Sequence, residues 1–242
     1  MSKIIIVTGG SQGIGEDIVR ELASDGNTVI LNFNKSEKEA IDIQKELQSK
    51  GAIIDIFKAD ISTREGARKL VEFTYNKYNR IDVLINNAGI SQFKMFTDIT
   101  DSDWENILKT NLYSVFYMSQ ETVKYMINQK SGNIINISSI WGITGASCES
   151  HYAVSKAGVD ALTKSLAKEL GPSNIRVNSI APGIINTKMN CNLSKEELQD
   201  IKGQIPLEKI GKTQDISKCV KWLIEDEYVT GQVISVNGGW LI

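Results

Sequence analysis

The stretch Lys3-Ile-Ile-Ile-Val-Thr-Gly-Gly-Ser-Gln-Gly-Ile-Gly15 joins a short β-branched run to a cluster of glycines. The run has the composition of a buried strand, and apolar residues at helical spacing follow it. Glycines at 9, 13 and 15 permit a tight turn and let the backbone approach a pyrophosphate at the start of a helix. The Gly-x-x-x-Gly-x-Gly spacing therefore predicts a nucleotide-binding turn. The alternative is a glycine-rich turn that binds nothing.

Strand and helix patterns alternate along the rest of the chain. Such alternation predicts an α/β fold with a parallel sheet and helices on both faces. The predicted strands cover residues 3–8, 28–33, 52–58, 81–85, 133–138, 175–180 and 232–236. One long helix is predicted over about 103–128, and Ser36 is a candidate N-cap for an earlier one. No linker divides the chain, so we expect a single domain over 1–242 with a substrate-side insertion at about 184–210.

Composition excludes several classes of function. The 242 residues carry a net charge of −2, which gives no global basic field for nucleic acid or for an anionic membrane. The single histidine, His151, makes a zinc site or a Ser-His-Asp triad a poor interpretation, and we expect no metal. Three scattered cysteines indicate a reducing compartment, and no apolar run is long enough to span a bilayer. We therefore expect a cytoplasmic protein.

The segment Ser139–Lys156 carries candidate chemistry. Ser139 closes an apolar run, and Tyr152 and Lys156 stand four residues apart. On a helix that spacing puts the phenol and the ammonium on one face, where the lysine lowers the pKa of the tyrosine and prepares it for proton transfer. The alternative is an ordinary pair on a helix surface.

The end of the second strand bears on cofactor preference. An acidic residue there would bind the ribose 2′-OH of NAD, and a basic one would suit the 2′-phosphate of NADP. Residues 32–36 read Asn-Phe-Asn-Lys-Ser and contain no carboxylate. NADP is therefore favoured over NAD, although Lys35 is equally compatible with a solvated loop.

Several motifs in one order resemble the short-chain dehydrogenase/reductase family over essentially the whole chain. They are Thr8–Gly15, Asn86-Asn-Ala-Gly89, Asn111, Ser139, Tyr152-x-x-x-Lys156 and Ala181-Pro-Gly183. Within that family the chain is most similar to 3-oxoacyl-[acyl-carrier-protein] reductases. The supporting stretches are 165–170, 175–178, 205–207 and 236–239. The resemblance implies a doubly wound, Rossmann-type sheet of seven parallel strands in the order 3-2-1-4-5-6-7, a homotetramer, and NADPH-dependent reduction of a ketone.

The resemblance also implies residue roles. Tyr152 would be the general acid, Lys156 would lower its pKa and hold the nicotinamide ribose, and Ser139 would bind the substrate carbonyl. Asn111 would distort its helix and hold a water for a proton relay. The implied cofactor-binding residues are Gly9, Ser11, Gln12, Gly13, Ile14, Gly15, Asn34, Lys35, Ser36, Asp60, Ile61, Asn87, Ala88, Gly89, Tyr152, Lys156, Pro182, Gly183, Ile185 and Thr187.

Other features leave the substrate open. Gln12 stands where many NADPH-dependent carrier-protein reductases have arginine, and Lys124 and Lys130 are candidates for contact with an acidic carrier protein beside the cleft. The segment 139–149, with Trp141 and Glu149, resembles that of reductases of the 5-aminopentanone modification on elongation factor P. A carboxylate near the site would suit a substrate that bears an ammonium. A steroid or sugar alcohol dehydrogenase and a non-catalytic dinucleotide sensor are further alternatives. His151 is interpreted as a helix-entry residue rather than a catalyst.

Overall fold

A computed structural model describes residues 2–190 and 194–242. Seven parallel strands form one sheet in the order β3-β2-β1-β4-β5-β6-β7. The strands are β1 (Ile4–Val7), β2 (Thr28–Phe33), β3 (Ile53–Lys58), β4 (Val83–Asn86), β5 (Gly132–Ile137), β6 (Ile175–Pro182) and β7 (Val233–Val236). The predicted fold class and strand order are confirmed.

Nine α-helices lie within the described residues. They are α1 (Gly13–Ser24), α2 (Glu37–Ser49), α3 (Arg64–Tyr78), α4 (Asp101–Leu108), α5 (Ser114–Gln129), α6 (Ile140–Thr144), α7 (Ser150–Leu170), α8 (Lys195–Gln204) and α9 (Thr213–Glu225). None of the helices in this part of the chain is both long and apolar enough to cross a membrane.

The sheet is buried on both faces. Successive side chains of β1 alternate between two apolar cores, with Ile5 and Val7 in one and Ile4 and Ile6 in the other. Helices α1, α2 and α9 contribute to the first core, and α3, α5 and α7 contribute to the second. This double burial explains why β1 is a continuous run of isoleucine and valine.

The order in which successive strands are added to the parallel sheet changes direction after β3, so that the two halves meet at β1. Strands β2 and β3 lie on one side of β1, and β4 to β7 lie on the other. A crevice therefore opens at the carboxyl ends of β1 and β4, where this architecture binds its ligands. The glycine turn follows β1, residues 87–89 follow β4, and Ser139 follows β5.

A chain of buried polar side chains crosses the second core. Asn86 on β4 and Asn136 on β5 are register partners, and the Nδ2 of Asn86 donates to the Oδ1 of Asn136 at 2.9 Å. The Nδ2 of Asn136 donates in turn to the Oγ1 of Thr163 on α7 at 2.8 Å. This core amide chain (Asn86, Asn136 and Thr163) links two strands and one helix.

Three parts of the chain differ from the sequence prediction. The helix predicted over 103–128 is divided into α4 and α5 by a π-helical turn at Lys109–Tyr113. Helix α6 was not predicted, because its five residues are too few to show a helical period. The insertion at 184–210 is part-helical as predicted, with α8 at its centre, but residues 191–193 lie outside the described chain.

Candidate active site

The turn after β1 is packed so tightly that glycine is required. Gly9 and Gly13 have φ values of 61° and 58°, in the left-handed region. A Cβ atom on Gly15 would overlap the carbonyl oxygen of Gly9 and the side-chain nitrogen of Asn87. The same nitrogen donates to the carbonyl oxygens of Thr8 at 3.0 Å and Gly9 at 3.1 Å. We call residues 9–15 and 87–89 together the glycine wall.

Thr8 holds the two parts of the glycine wall together, a role that the sequence analysis missed. Its Oγ1 accepts from the backbone N–H groups of Asn87 at 2.9 Å and Ala88 at 3.1 Å. It also donates to the carbonyl of Ile85 at 3.3 Å. A hydroxyl residue at the last position before the turn was the available signal.

The other end of the crevice approaches the same wall. A Cβ on Gly13 would lie 3.6 Å from the Cγ2 of Thr187, so the segment after β6 crosses over the turn. A Cβ on Gly89 would lie 3.4 Å from the Nζ of Lys156. Ile185 is buried in the first core and forms an isolated bridge with Gly211. The structure therefore brings Thr187, Gly89 and Lys156 to one crevice.

The adenosine end is more exposed. Asn34 and Lys35 are exposed after β2, and Ser36 precedes α2 without making the predicted side-chain cap. The Oδ1 of Asp60 accepts from the N–H and hydroxyl of Ser62 at 3.0 and 2.7 Å, which fixes this carboxylate in a local turn. The nearby carboxylate of Glu37 pairs with Lys58 at 2.8 Å.

The opposite side of the crevice is formed by residues 139–156, which we call the tyrosine wall. The Oγ of Ser139 caps α6 by accepting from the N–H of Trp141 at 3.2 Å. A Cβ on Gly142 would lie 2.8 Å from the carbonyl carbon of Lys156, so α6 packs directly on α7. This contact places Ser139 close to Tyr152, and the Ser139 hydroxyl lowers the pKa of the phenol.

Burial is the main cause of the pKa shifts of Tyr152 and Lys156 in this wall. Burial raises the pKa of the Tyr152 phenol to about 12. The Glu149 carboxylate also raises this pKa, whereas the Ser139 hydroxyl lowers it. Burial lowers the pKa of the Lys156 ammonium to about 8. The Nζ of Lys156 lies 5.7 Å from the Tyr152 ring centroid and donates to the carbonyl of Ile137 at 2.8 Å. The prediction that Lys156 gives Tyr152 a low pKa is wrong for this structure, because desolvation of the phenolate dominates.

Asn111 lies in the π-helical turn, in agreement with the helix distortion that the resemblance implied. Its Oδ1 accepts from the N–H of Ile90 at 2.9 Å, and its Nδ2 donates to the carbonyl of Ile90 at 2.9 Å. The Nδ2 also donates at 3.0 Å to Ser155, whose hydroxyl donates to the carbonyl of Tyr152 at 2.7 Å. The Asn111 side chain therefore ties the segment after β4 to the first turns of α7.

Glu149 and Trp141 lie beside the tyrosine. Burial raises the pKa of the half-buried Glu149 carboxyl, and among the described residues this carboxylate has no ion-pair partner. The ring of Trp141 meets that of Trp240 edge to face, with centroids 5.2 Å apart. The C-terminal Trp240 is therefore a neighbour of the site that sequence reasoning missed.

His151 is fully buried and is held by a polar cluster at the rim. Its Nε2 lies 3.1 Å from the Oε1 of Gln92, whose amide donates to Asp103 at 2.9 Å. Lys94 pairs with the same carboxylate at 2.6 Å. The pKa of His151 is lowered, mainly by burial. The charge of Asp103 opposes this shift, and the charge of Lys94 adds to it. The structure agrees with its interpretation as a helix-entry residue.

The expectation that Lys124 and Lys130 lie beside the cleft is wrong within one chain. Lys124 is near the end of α5, and Lys130 stands two residues before β5 begins. All strands are parallel, so the start of β5 is at the edge of the sheet opposite to the crevice. Lys124 is also paired with Glu121.

The crevice fits a dinucleotide. The glycine turn leads directly into the N-terminus of α1, whose first N–H groups suit a pyrophosphate. Across the crevice, the buried ammonium of Lys156 and the hydroxyls of Ser139 and Tyr152 offer donors to a ribose and a carbonyl. Within the described residues, no group of three His, Cys, Asp or Glu side chains is placed to hold a metal ion.

Comparison with known proteins agrees with this geometry. The model of the short chain dehydrogenase family matches residues 3–198. This chain is a short-chain dehydrogenase. As a member of the family it is an oxidoreductase that uses a nicotinamide dinucleotide and acts on C=O or CH–OH groups.

Individual relatives match over nearly their whole length. The chain is 41% identical over 240 residues to the 3-oxoacyl-[acyl-carrier-protein] reductase FabG of Aquifex aeolicus, covering 98% of this chain and 96% of the relative. It is 39% identical over 239 residues to the protein of the same name from Buchnera aphidicola, with the same coverage. It is also 37% identical over 243 residues to the uncharacterized oxidoreductase YmfI of Bacillus subtilis, covering 99% of each chain.

Proposed function

We propose that this short-chain dehydrogenase reduces 3-oxoacyl-[acyl-carrier-protein] to the 3-hydroxyacyl form in cytoplasmic fatty acid synthesis, with NADPH as cofactor and as a homotetramer. The observation that supports the reaction best is that the buried side chains of Ser139, Tyr152 and Lys156 lie together beyond the carboxyl end of β5. The names of the relatives from Aquifex aeolicus and Buchnera aphidicola support the substrate.

The side chains of the tyrosine wall suit reduction. When bound, the nicotinamide supplies the hydride. We assign Tyr152 as the proton donor, because a phenol with a pKa of about 12 stays protonated at neutral pH. We assign Ser139 as a second donor to the carbonyl oxygen, which gains negative charge in the transition state. Their burial strengthens both hydrogen bonds, since the local dielectric is low.

Lys156 and Asn111 support this pair. We assign Lys156 to the nicotinamide ribose, with its ammonium held by the carbonyl of Ile137. Asn111 forms hydrogen bonds with the backbone of Ile90 and with the hydroxyl of Ser155, and so fixes the helix turn that carries Tyr152. The proton relay through Lys156 remains a prediction of this proposal.

The proposed cofactor contacts divide along the crevice. Residues 9–15 and 87–89 hold the pyrophosphate side, Asp60 and Ile61 the adenine, and residues 182–187 the nicotinamide side. Lys35 and Ser36 bind the 2′-phosphate, and the exposed position of Lys35 leaves it available for this contact. The segment 184–210 forms the substrate side.

A cofactor-consumption assay tests the proposal. Purified protein is mixed with acetoacetyl-[acyl-carrier-protein] and with NADPH or NADH, and loss of reduced cofactor is recorded. We expect rapid consumption with NADPH and slower consumption with NADH. Equal or better rates with NADH would overturn the cofactor preference. Tight NADPH binding without turnover on any ketone would favour a dinucleotide sensor.

One observation favours a second substrate, an amino ketone carried on a protein. The charge of the Glu149 carboxylate raises the pKa of the Tyr152 phenol. This carboxylate has no cationic partner among the residues described. A negative charge near a carbonyl oxygen that gains charge opposes the reaction unless the substrate carries a compensating cation. An ammonium on the substrate would supply it, and the edge-to-face pair Trp141–Trp240 would offer a π face nearby.

The two substrates are distinguished by one substitution. Glu149→Gln should weaken kcat/KM for an aminopentanone-modified peptide about tenfold and leave the acetoacetyl thioester unchanged or faster. Glu169→Gln, at an exposed position of α7, makes the same change of charge away from the crevice and serves as the control. If acetoacetyl thioesters are reduced far faster than any amino ketone by the wild-type protein, the amino-ketone assignment fails.

A further inference from the structure

Asp160 is a buried carboxylate in α7 for which the proposed reaction has no use. Its residue is only 5% exposed. The hydroxyl of Ser179 on β6 donates to its Oδ1 at 2.8 Å, whereas its Oδ2 is buried without a hydrogen-bond partner in the described residues. Burying a carboxylate that is only half satisfied is costly, so its presence requires a compensating interaction.

The position of Asp160 relates it to Lys156. The two residues are four apart in α7, so their side chains leave the same face of the helix about 5–6 Å apart at Cβ. The Lys156 residue is 4% exposed, and its ammonium donates to the neutral carbonyl of Ile137. No ion pair shorter than 4.0 Å joins Lys156 to Asp160 in the described structure, so the carboxylate acts on the ammonium through charge rather than contact.

The charges around this pair point the same way. The carboxylate that raises the pKa of Lys156 against its burial is Asp160. Burial raises the pKa of Asp160, while the hydroxyls of Ser179 on β6 and Ser138 just after β5, and the charges of Lys156 and Lys164 on the same helix, lower it. Glu149, the residue before α7, raises the pKa of Tyr152 instead.

We infer that Asp160 is a positioning residue of the active site, whose buried carboxylate keeps the Lys156 ammonium charged inside the crevice. The inference rests on the role proposed above for Lys156 as a cation that binds the nicotinamide ribose. Ser179 contributes by holding the carboxylate in place at the third turn of α7.

Titration of Lys156 in the cofactor-free protein tests the inference directly. The 13Cε resonance of Lys156, assigned by its loss in Lys156→Arg, is followed against pH. Asp160→Asn keeps the acceptor for Ser179 and removes the charge, and the titration midpoint should fall by about one pH unit, a tenfold change in proton affinity. Asp160→Glu and Ser179→Ala keep the charge and should leave the midpoint within about 0.3 unit of wild type.

An unchanged midpoint in Asp160→Asn would overturn the inference, as would an equal shift in Ser179→Ala. Thermal unfolding of each variant confirms that the comparison is made on folded protein, and Asp160→Ser replaces Asp160→Asn if the latter does not fold. In the activity assay, the alkaline limb of kcat/KM should move to lower pH in Asp160→Asn. Because the titration needs neither cofactor nor substrate, a shifted midpoint in a protein that reduces no ketone would sink the proposed function alone.

Discussion

The two walls of the crevice are built in different ways. The glycine wall consists of backbone and small side chains that leave no room for a Cβ at Gly15. The tyrosine wall consists of ionisable groups whose burial moves the pKa of Tyr152 up and that of Lys156 down. The first wall therefore controls which shape can bind, and the second controls where protons reside. Substitutions in the two walls should fail in different assays.

The largest effect is expected in the tyrosine wall. Tyr152→Phe removes the proton donor and should reduce kcat about 10²- to 10⁴-fold, while the affinity for NADPH changes less than about twofold. Steady-state cofactor oxidation and equilibrium fluorescence titration measure the two quantities. Tyr228→Phe, at a tyrosine that is 96% exposed, is the control and should behave as wild type. Retained turnover in Tyr152→Phe would show that another group donates the proton.

The next largest effect is expected in the glycine wall. Gly15→Ala forces a methyl group against the Gly9 carbonyl and Asn87, so the free energy of unfolding should fall by about 1–3 kcal/mol and dinucleotide binding should weaken. Urea denaturation and NADPH titration provide the measurements. Gly203→Ala, in α8 with open space around it, should be neutral or slightly stabilising. Normal NADPH affinity in a destabilised Gly15→Ala would separate this packing from binding.

A smaller effect extends the comparison to the exposed end of the crevice. Lys35→Ala should weaken NADPH binding about tenfold, since one hydrogen bond to a charged phosphate is lost, and should leave NADH binding unchanged. Lys45→Ala, an exposed lysine on α2, is the matched control. If both cofactors lose affinity equally, Lys35 does not read the 2′-phosphate.

The smallest effect concerns the buried histidine at the start of the tyrosine wall. Its folded-state pKa is lowered by burial, so the unfolded chain binds the proton more readily and stability is lost as pH falls below about 6.5. The loss should be smaller than that caused by Gly15→Ala. His151→Gln removes the titration, and its urea midpoint should depend less on pH between about 7 and 5.5. An identical pH dependence in both proteins would exclude His151 as the source.

Sequence reasoning was accurate where the signal is local. The glycine turn and the buried strands depend on patterns that a few neighbouring residues carry, whereas the strand order was implied by the family resemblance. The conflict over the Tyr152 pKa shows the limit. The spacing to Lys156 was read correctly, but the degree of burial is set by α6 and by distant parts of the chain.

The residues that were missed all act through long-range contacts. Thr8 bonds to residues almost 80 positions away, and Asp160 is anchored by a serine on another strand. Trp240 reaches Trp141 across about a hundred residues of sequence. No periodicity marks such partners, because each depends on how separate elements are packed.

The core amide chain has a consequence for how the protein folds. A slip of two residues between β4 and β5 would keep the same side chains on each face of the sheet. A slip would strand the amides of Asn86 and Asn136 in the core without each other, at a cost of about 1–3 kcal/mol for each unsatisfied group. The Asn86–Asn136 pair therefore favours one register of β4 and β5 during folding. In that register, Ser139 and Asn87 both lie at the same crevice.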